Sequence, residues 1–205
     1  MRCLLCGKDY LKDGSLYDML LNDDGLCCAC RQAWRRWRRK TMLESFPVHG
    51  IWTYNEAFAQ ALFQYKECHD EALAAIFLKP FARRLHWRYR GYTLLLMPST
   101  QRKRNERGFD HLALLFSTLH LPMLTPFYKT DDSVQKEKNR LQRQQIITTI
   151  RRDQSIPLPR KILLCDDVMT TGATLKGALR TLEPGRHRIR ILTTAVVSKK
   201  DPPAS

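Results

Sequence analysis

The clearest apolar run in the chain is Ile162, Leu163 and Leu164, followed at once by Cys165, two adjacent acids, Asp166 and Asp167, and a turn built from Thr170, Thr171, Gly172, Ala173 and Thr174. An apolar run that short, bounded by turn residues, predicts a buried strand ending in a loop. The stretch from Thr174 to Leu182 reads as a helix with Thr174 near its N-cap. Tyr92 to Met97, stopped by Pro98, predicts a second apolar strand. His49 to Tyr54 and Arg188 to Val197 predict two more. Glu56 to Tyr65 and Asp70 to Leu85 lie between the first two strands in chain order and predict helices, the second carrying Leu73, Ile76, Phe77 and Phe81 at helical spacing. Strands interleaved with helices point to a parallel α/β sheet. Pro47 marks a boundary, Lys129 to Arg152 reads as a polar loop, Lys199 to Ser205 as a loose tail, and no internal repeat is visible.

Composition refines this picture. The chain has 205 residues, enough for one domain of average size and a small appendage, and 43% of them are hydrophobic, enough for a packed core. No apolar run approaches the roughly 18 residues of a membrane span, and the opening MRCLLCGKDY has no secretory apolar segment, so a cytosolic protein without membrane insertion is expected. Thirty-five Lys and Arg against 20 acids leave a net charge of +15 and favour polyanionic partners.

Seven cysteines in such a chain point to metal or free thiols. Cys3 with Cys6 and Cys27 with Cys30 make two C-x2-C knuckles, each able to supply two thiolates from one tight turn to a tetrahedral zinc site. Cys28 lies inside the second knuckle, and only spacing favours Cys27 over it. The absence of an evident open ligand position makes the expected zinc structural.

Arg31 to Lys40, RQAWRRWRRK, carries six basic residues and no acid. Read as a helix, it puts Trp34 and Trp37 on one face, surrounded by Arg35, Arg36, Arg38, Arg39 and Lys40. Cations interleaved with aromatic rings suit a single nucleic-acid strand, and the competing reading is that both tryptophans anchor the helix to the domain.

The loop after the central strand has a definite chemical capacity. Backbone N–H groups of Thr170 to Thr174 can wrap an anion, Gly172 can adopt φ > 0, and the following helix points its positive end at the same place. Asp166 and Asp167, as acceptors at the carboxyl end of a strand, suit vicinal hydroxyls. A phosphate site beside a diol site describes a ribose 5-phosphate.

These residues resemble the phosphoribosyl pyrophosphate (PRPP) loop of the type I phosphoribosyltransferases, with Cys165 where that family usually has Val or Ile. The resemblance implies that Asp166 and Asp167 hold the ribose, as the catalytic pair of a working enzyme, and that Thr170, Thr171, Gly172, Ala173 and Thr174 hold the 5-phosphate. It also implies that Arg102, Lys103, Arg104 and Arg107, in the loop after the Tyr92 strand, meet the diphosphate, and that a mobile loop carrying Gln135, Asn139 and Arg140 closes over the ligand.

Arg107-Gly-Phe109 narrows the likeness to the ComF family, the phosphoribosyltransferase-like proteins of bacterial DNA uptake. Its other marks are the four cysteines, Tyr54-Asn-Glu-Ala-Phe58, Phe63-Gln-Tyr-Lys66 with Asp70, and Cys165 to Thr174, in that order along the chain. Asp110 and His111 stand where that family has Asn and Gln. The resemblance implies a small zinc-ribbon-like module with its basic helix at 1–45 and a type I phosphoribosyltransferase-like α/β sheet at 46–205. It further implies PRPP accompanied by Mg²⁺, single-stranded DNA and the ComF helicase-like ATPase as partners, and a cytoplasmic or peripheral inner-membrane location. The alternative is an active PRPP-dependent phosphoribosyltransferase, of the amidophosphoribosyltransferase kind, with an acceptor the sequence does not name.

Overall fold

The computed structural model describes residues 2–9, 25–99, 108–130, 149–183 and 185–198. Four parallel neighbours, β2 (Phe46–Thr53), β8 (Arg188–Val196), β7 (Lys161–Met169) and β3 (Thr93–Leu96), form the centre of a six-stranded sheet. β4 (Met123–Leu124) adds to it in parallel beyond β3, and β1 (Thr41–Leu43) runs antiparallel to β2 at the other edge. β5 (Phe127–Thr130) and β6 (Thr149–Arg152) make a separate antiparallel pair. The fold is α/β, built on a mostly parallel sheet.

The middle stretches of β3, β7 and β8 are apolar because central parallel strands are covered on both faces. Ile162 to Cys165, Leu94 to Leu96 and Ile191 with Leu192 are all buried. The helix α2 (Glu56–Glu67) is capped by the Asn55 side chain, which accepts from the Phe58 amide. It buries Phe58, Ala61, Leu62 and Tyr65, an i, i+3, i+4, i+7 stripe.

Two expected helices form differently. From Asp70 to Leu85 the chain makes 3₁₀ turns at Glu71–Phe77 and Lys79–Phe81 before the α-helix α3 (Ala82–Arg88) begins. Pro80 lacks the amide that a continuous α-helix needs there, so the apolar spacing is met by tighter turns.

The basic segment is helical only in α1 (Cys28–Gln32). Beyond it Arg35 to Trp37 run extended along the free edge of β2: the Trp37 amide donates to the Ile51 carbonyl (2.9 Å) and the Thr53 amide to the Arg35 carbonyl (2.7 Å). Edge amides of β2 need acceptors, and this segment supplies one. Thr41 faces Val48 while Arg36 faces Trp52, five steps of chain against four, so residues 38–40 bulge outward. The expected division at residue 45 falls in the turn between β1 and β2, two strands of one sheet.

Candidate functional site

At Cys165 the central strand loses a neighbour. β3 pairs with β7 only as far as Leu96↔Cys165, whereas β8 accompanies β7 to Met169↔Val196. Asp166 and Asp167 thus lie on a length of strand with one open edge, inside β7 rather than after it. A cavity of about 230 Å³ sits against that edge, lined among others by both acids, Lys66, His111, Lys129 and Thr174. It is the crevice at strand carboxyl ends where open α/β sheets take ligands.

The two acids are held differently. Lys66 forms an ion pair with Asp167 Oδ2, His111 Nε2 lies 3.4 Å from the same oxygen, and the Val168 amide donates to Oδ1 (2.6 Å). Among the described residues Asp166 Oδ1 accepts from one donor, the peptide amide of Asp167, at 3.0 Å. Burial pushes the Asp166 carboxyl up to about 7, against the opposing pull of the Lys66 and Lys129 ammonium groups. Asp167 is therefore fixed in place, and Asp166 is the carboxylate with acceptor capacity to spare.

The helix α5 (Ala173–Arg180) starts one residue earlier than expected, and Gly172, not Thr174, occupies its N-cap with φ 72° and no side-chain cap. A Cβ at Gly172 would overlap Leu43 Cδ1 of β1, so both the left-handed φ and the close approach demand glycine. Thr170, Thr171 and Ala173 are exposed around it. Among the described residues, none of the Thr170, Thr171 or Gly172 amides donates to a backbone carbonyl. The first-turn amides of α5 have no intrahelical acceptor either. These N–H groups and the helix dipole are available to an anion beside the cavity.

Arg102, Lys103, Arg104 and Arg107 lie outside the described residues, as do Gln135, Asn139 and Arg140. The described chain on both sides of the first group borders the cavity, through Met97 to Ser99 and through His111 with Leu112.

Sequence reasoning gave Lys66 and His111 no chemical task. Lys66 directly follows Tyr65, the last residue of the buried stripe of α2. His111 opens α4 (His111–Ser117), whose cap is Asp110, accepting from the Leu112 and Ala113 amides (both 3.1 Å). Tyr65 donates to the His111 carbonyl (2.7 Å), tying α2 to α4 behind the acids.

The four expected cysteines come together. The sulfurs of Cys3, Cys6, Cys27 and Cys30 all lie within 4.8 Å of one another, and Cys6 and Cys27 are 3.7 Å apart. Four thiolates about 2.3 Å from a tetrahedral zinc stand roughly 3.8 Å from each other, so the donor set fits that ion. Cys28 points elsewhere and accepts from Gln32 Nε2 (3.2 Å), which resolves the choice in favour of Cys27. Although burial raises it, the Cys3 thiol is drawn down to about 7 by the backbone amides of Cys27, Cys6 and Leu5, an arrangement that favours thiolate.

The two tryptophans of the basic segment part company. Trp34 is 5% exposed, stacks on Phe77 (5.4 Å) and meets Trp52 and Phe58 edge-on or tilted. It belongs to the core, and the expectation that it shares a nucleic-acid face with Trp37 is corrected. Trp37 lies against Gly50, where a Cβ would crowd its ring, and donates to Thr41 Oγ1 (2.9 Å). Arg35, Arg36, Arg38 and Arg39 remain on the protein surface or beside it, Arg36 with its guanidinium over Phe81 (4.8 Å). Among the described residues no helix is long and apolar enough to cross a membrane.

Residues 109–204 match the family described as the phosphoribosyl transferase domain. Over 208 residues the chain is 28% identical to "Competence protein ComFC" of Streptococcus pneumoniae (strain ATCC BAA-255 / R6), covering 89% of this chain and 94% of that one. Over 211 residues it is 24% identical to "Competence protein ComFC" of Bacillus subtilis (strain 168), covering 88% of each.

Proposed function

We propose, taking as premise that this is a ComFC-like chain with a phosphoribosyltransferase-like domain, that it serves natural competence by assisting uptake of single-stranded DNA and that it binds PRPP or a related phosphoribosyl ligand. The observation that carries the ligand half is the open edge of β7, where Asp166, Asp167 and Thr174 share one cavity beside uncommitted amides.

On this reading the amides of Thr170 to Thr174 bind the 5-phosphate, aided by the positive end of α5. Asp166 accepts from a ribose hydroxyl, and Asp167 does the same from a position fixed by Lys66 and His111. Lys129 and the cations at 102–107 neutralise the diphosphate, which needs a compact cationic surface. Mg²⁺, which keeps several waters, is expected on the diphosphate oxygens, with Asp166 and Asp167 the only carboxylates among the described residues lining the cavity. The protein works in the cytoplasm or peripherally at the inner face of the membrane, alongside the ComF helicase-like ATPase.

Calorimetric titration of PRPP with Mg²⁺ tests the ligand site on the wild type and on Asp166→Asn/Asp167→Asn. Losing two charge-assisted hydrogen bonds at about 1.5–3 kcal/mol each predicts a drop in affinity of a hundredfold or more. Equal affinity in both proteins removes the ribose assignment. Pyrophosphate release when amines or bases are offered would establish turnover, the alternative reading.

A further inference from the structure

A second cavity lies at the opposite end of the sheet from Asp166. It measures about 580 Å³ and is lined by the amino-terminal ends of β2, β7 and β8, the bulge at 38–40 and the end of α3. Lys161, the first residue of β7, lines this crevice, and Asp167, six residues on, lines the other. At about 3.3 Å per residue the two are about 20 Å apart.

Its charge is of one sign. Arg38, Arg39 and Lys40 come from the bulge, Arg88 and Arg90 from the end of α3 and just beyond, and Lys161, Arg188 and Arg190 from the strand ends. No acid lines it, and among the described residues no carboxylate is paired with any of these eight cations. Arg188 and Arg190 alternate on one face of β8, so their guanidinium groups point the same way. Set deeper, His49 shares a hydrogen bond with Tyr89 Oη (2.9 Å) and is driven down to about 4 by burial and by Arg88 and Arg84. It stays neutral and adds no proton to the crowd.

A surface serving solubility alone interleaves both signs, because like charges in a concavity repel. A concave wall of one sign concentrates counter-ions. Beside it stands Trp87, 68% exposed, with the Arg90 guanidinium 5.7 Å from its ring centroid. An exposed indole at the rim of a cationic channel offers a face to an unpaired base, which a duplex keeps stacked inside.

We propose that this crevice is the single-stranded DNA site, the phosphates lying along Arg38 to Lys40, Lys161, Arg188 and Arg190 and a base stacking on Trp87. The proposal rests on the nucleic-acid half of the functional reading above. It keeps Trp37, Arg38 and Arg39 of the expected segment, drops the buried Trp34, adds the cations of the strand ends and of α3, and leaves the PRPP cavity free, so both ligands can be bound at once.

The experiment is fluorescence anisotropy of a labelled 20-residue oligothymidylate with the full chain across a salt series. Arg188→Glu/Arg190→Glu is expected to weaken binding at least tenfold and to flatten the salt slope by about 1.4, since each lost phosphate contact on a single strand contributes about 0.7. Trp87→Ala, at an exposed position that leaves the core intact, is expected to weaken it about fivefold or more. Arg151→Glu/Arg180→Glu carries the same change in charge away from the crevice and should weaken binding far less. Calorimetry with PRPP and the thermal midpoint report whether each variant is folded.

If the wild type does not retain the oligonucleotide even at low salt, the DNA function itself falls. If it does, and the crevice variant binds as tightly or the control loses as much, the location is wrong while the function stands. Equal binding of a duplex, with Trp87→Ala silent, overturns the stacking role.

Discussion

The same two strands, β7 and β8, finish in opposite chemistries. At their carboxyl ends a small cavity holds two acids, one fixed by a lysine and one raised by burial; at their amino ends a cavity more than twice as large holds eight cations and no acid. The contrast teaches that selectivity here comes from what each end leaves unpaired. The carboxyl end offers directed acceptors and amides suited to one sugar phosphate, while the amino end offers undirected charge suited to any length of polyanion.

The largest expected effect comes from closing the carboxyl end. Gly172→Val forces a left-handed φ on a branched residue and drives a side chain into Leu43, at about 1–2 kcal/mol for the first and 1–3 for the second. Denaturant unfolding should register a loss of about 3 kcal/mol and calorimetry a loss of PRPP binding, with oligothymidylate affinity kept below the new unfolding transition. Loss of both ligands in folded protein would mean the ends are not independent.

Next is the pH dependence of PRPP. Its hydroxyl needs Asp166 ionised, and with the free carboxyl at about 7 the wild-type affinity should rise about tenfold from pH 6 to pH 8. Asp166→Asn should flatten that rise in titrations across the same range. Folding stability moves the other way: between the ordinary 3.8 and about 7 the folded chain keeps a proton that the unfolded chain releases, so stability falls as pH rises.

The smallest effect belongs to the amino end and has the opposite sign. His49 is held near 4 against an ordinary 6.5, so across that window the unfolded chain takes up a proton that the folded chain refuses. Stability is then lost as pH falls from 6.5 towards 4, and His49→Gln should remove that part of the acid sensitivity in thermal melts. An unchanged acid slope would place the loss elsewhere.

Much of this was legible in the sequence where local chemistry and global position agree. Ile162 to Leu164 had to be a covered strand, Gly172 had to be glycine, and the two knuckles had to meet. The segment at Arg31 to Lys40 was not legible, because tryptophans three apart fit one helical face as well as they fit an extended chain that turns one ring inward and the other along the edge. What decides between them is the bare edge of β2, which no local window contains. Lys66 and His111 were hidden for a related reason: their partner, Asp167, is far away in sequence and is brought near only by the sheet. Three cations of the amino-end crevice, Arg38, Arg39 and Lys40, stand in the basic run that the sequence shows; the other five, Arg88, Arg90, Lys161, Arg188 and Arg190, escaped because they are scattered along the chain and meet only in the fold.

Trp34 lies at the centre of an aromatic cluster with Trp52, Phe58 and Phe77, only four residues past the last zinc-ligating cysteine candidate. The cysteine cluster is therefore stitched into the body of the molecule and cannot act as a detachable clasp. A metal held by the four sulfurs would brace the interior through Trp34, and its removal would loosen both together.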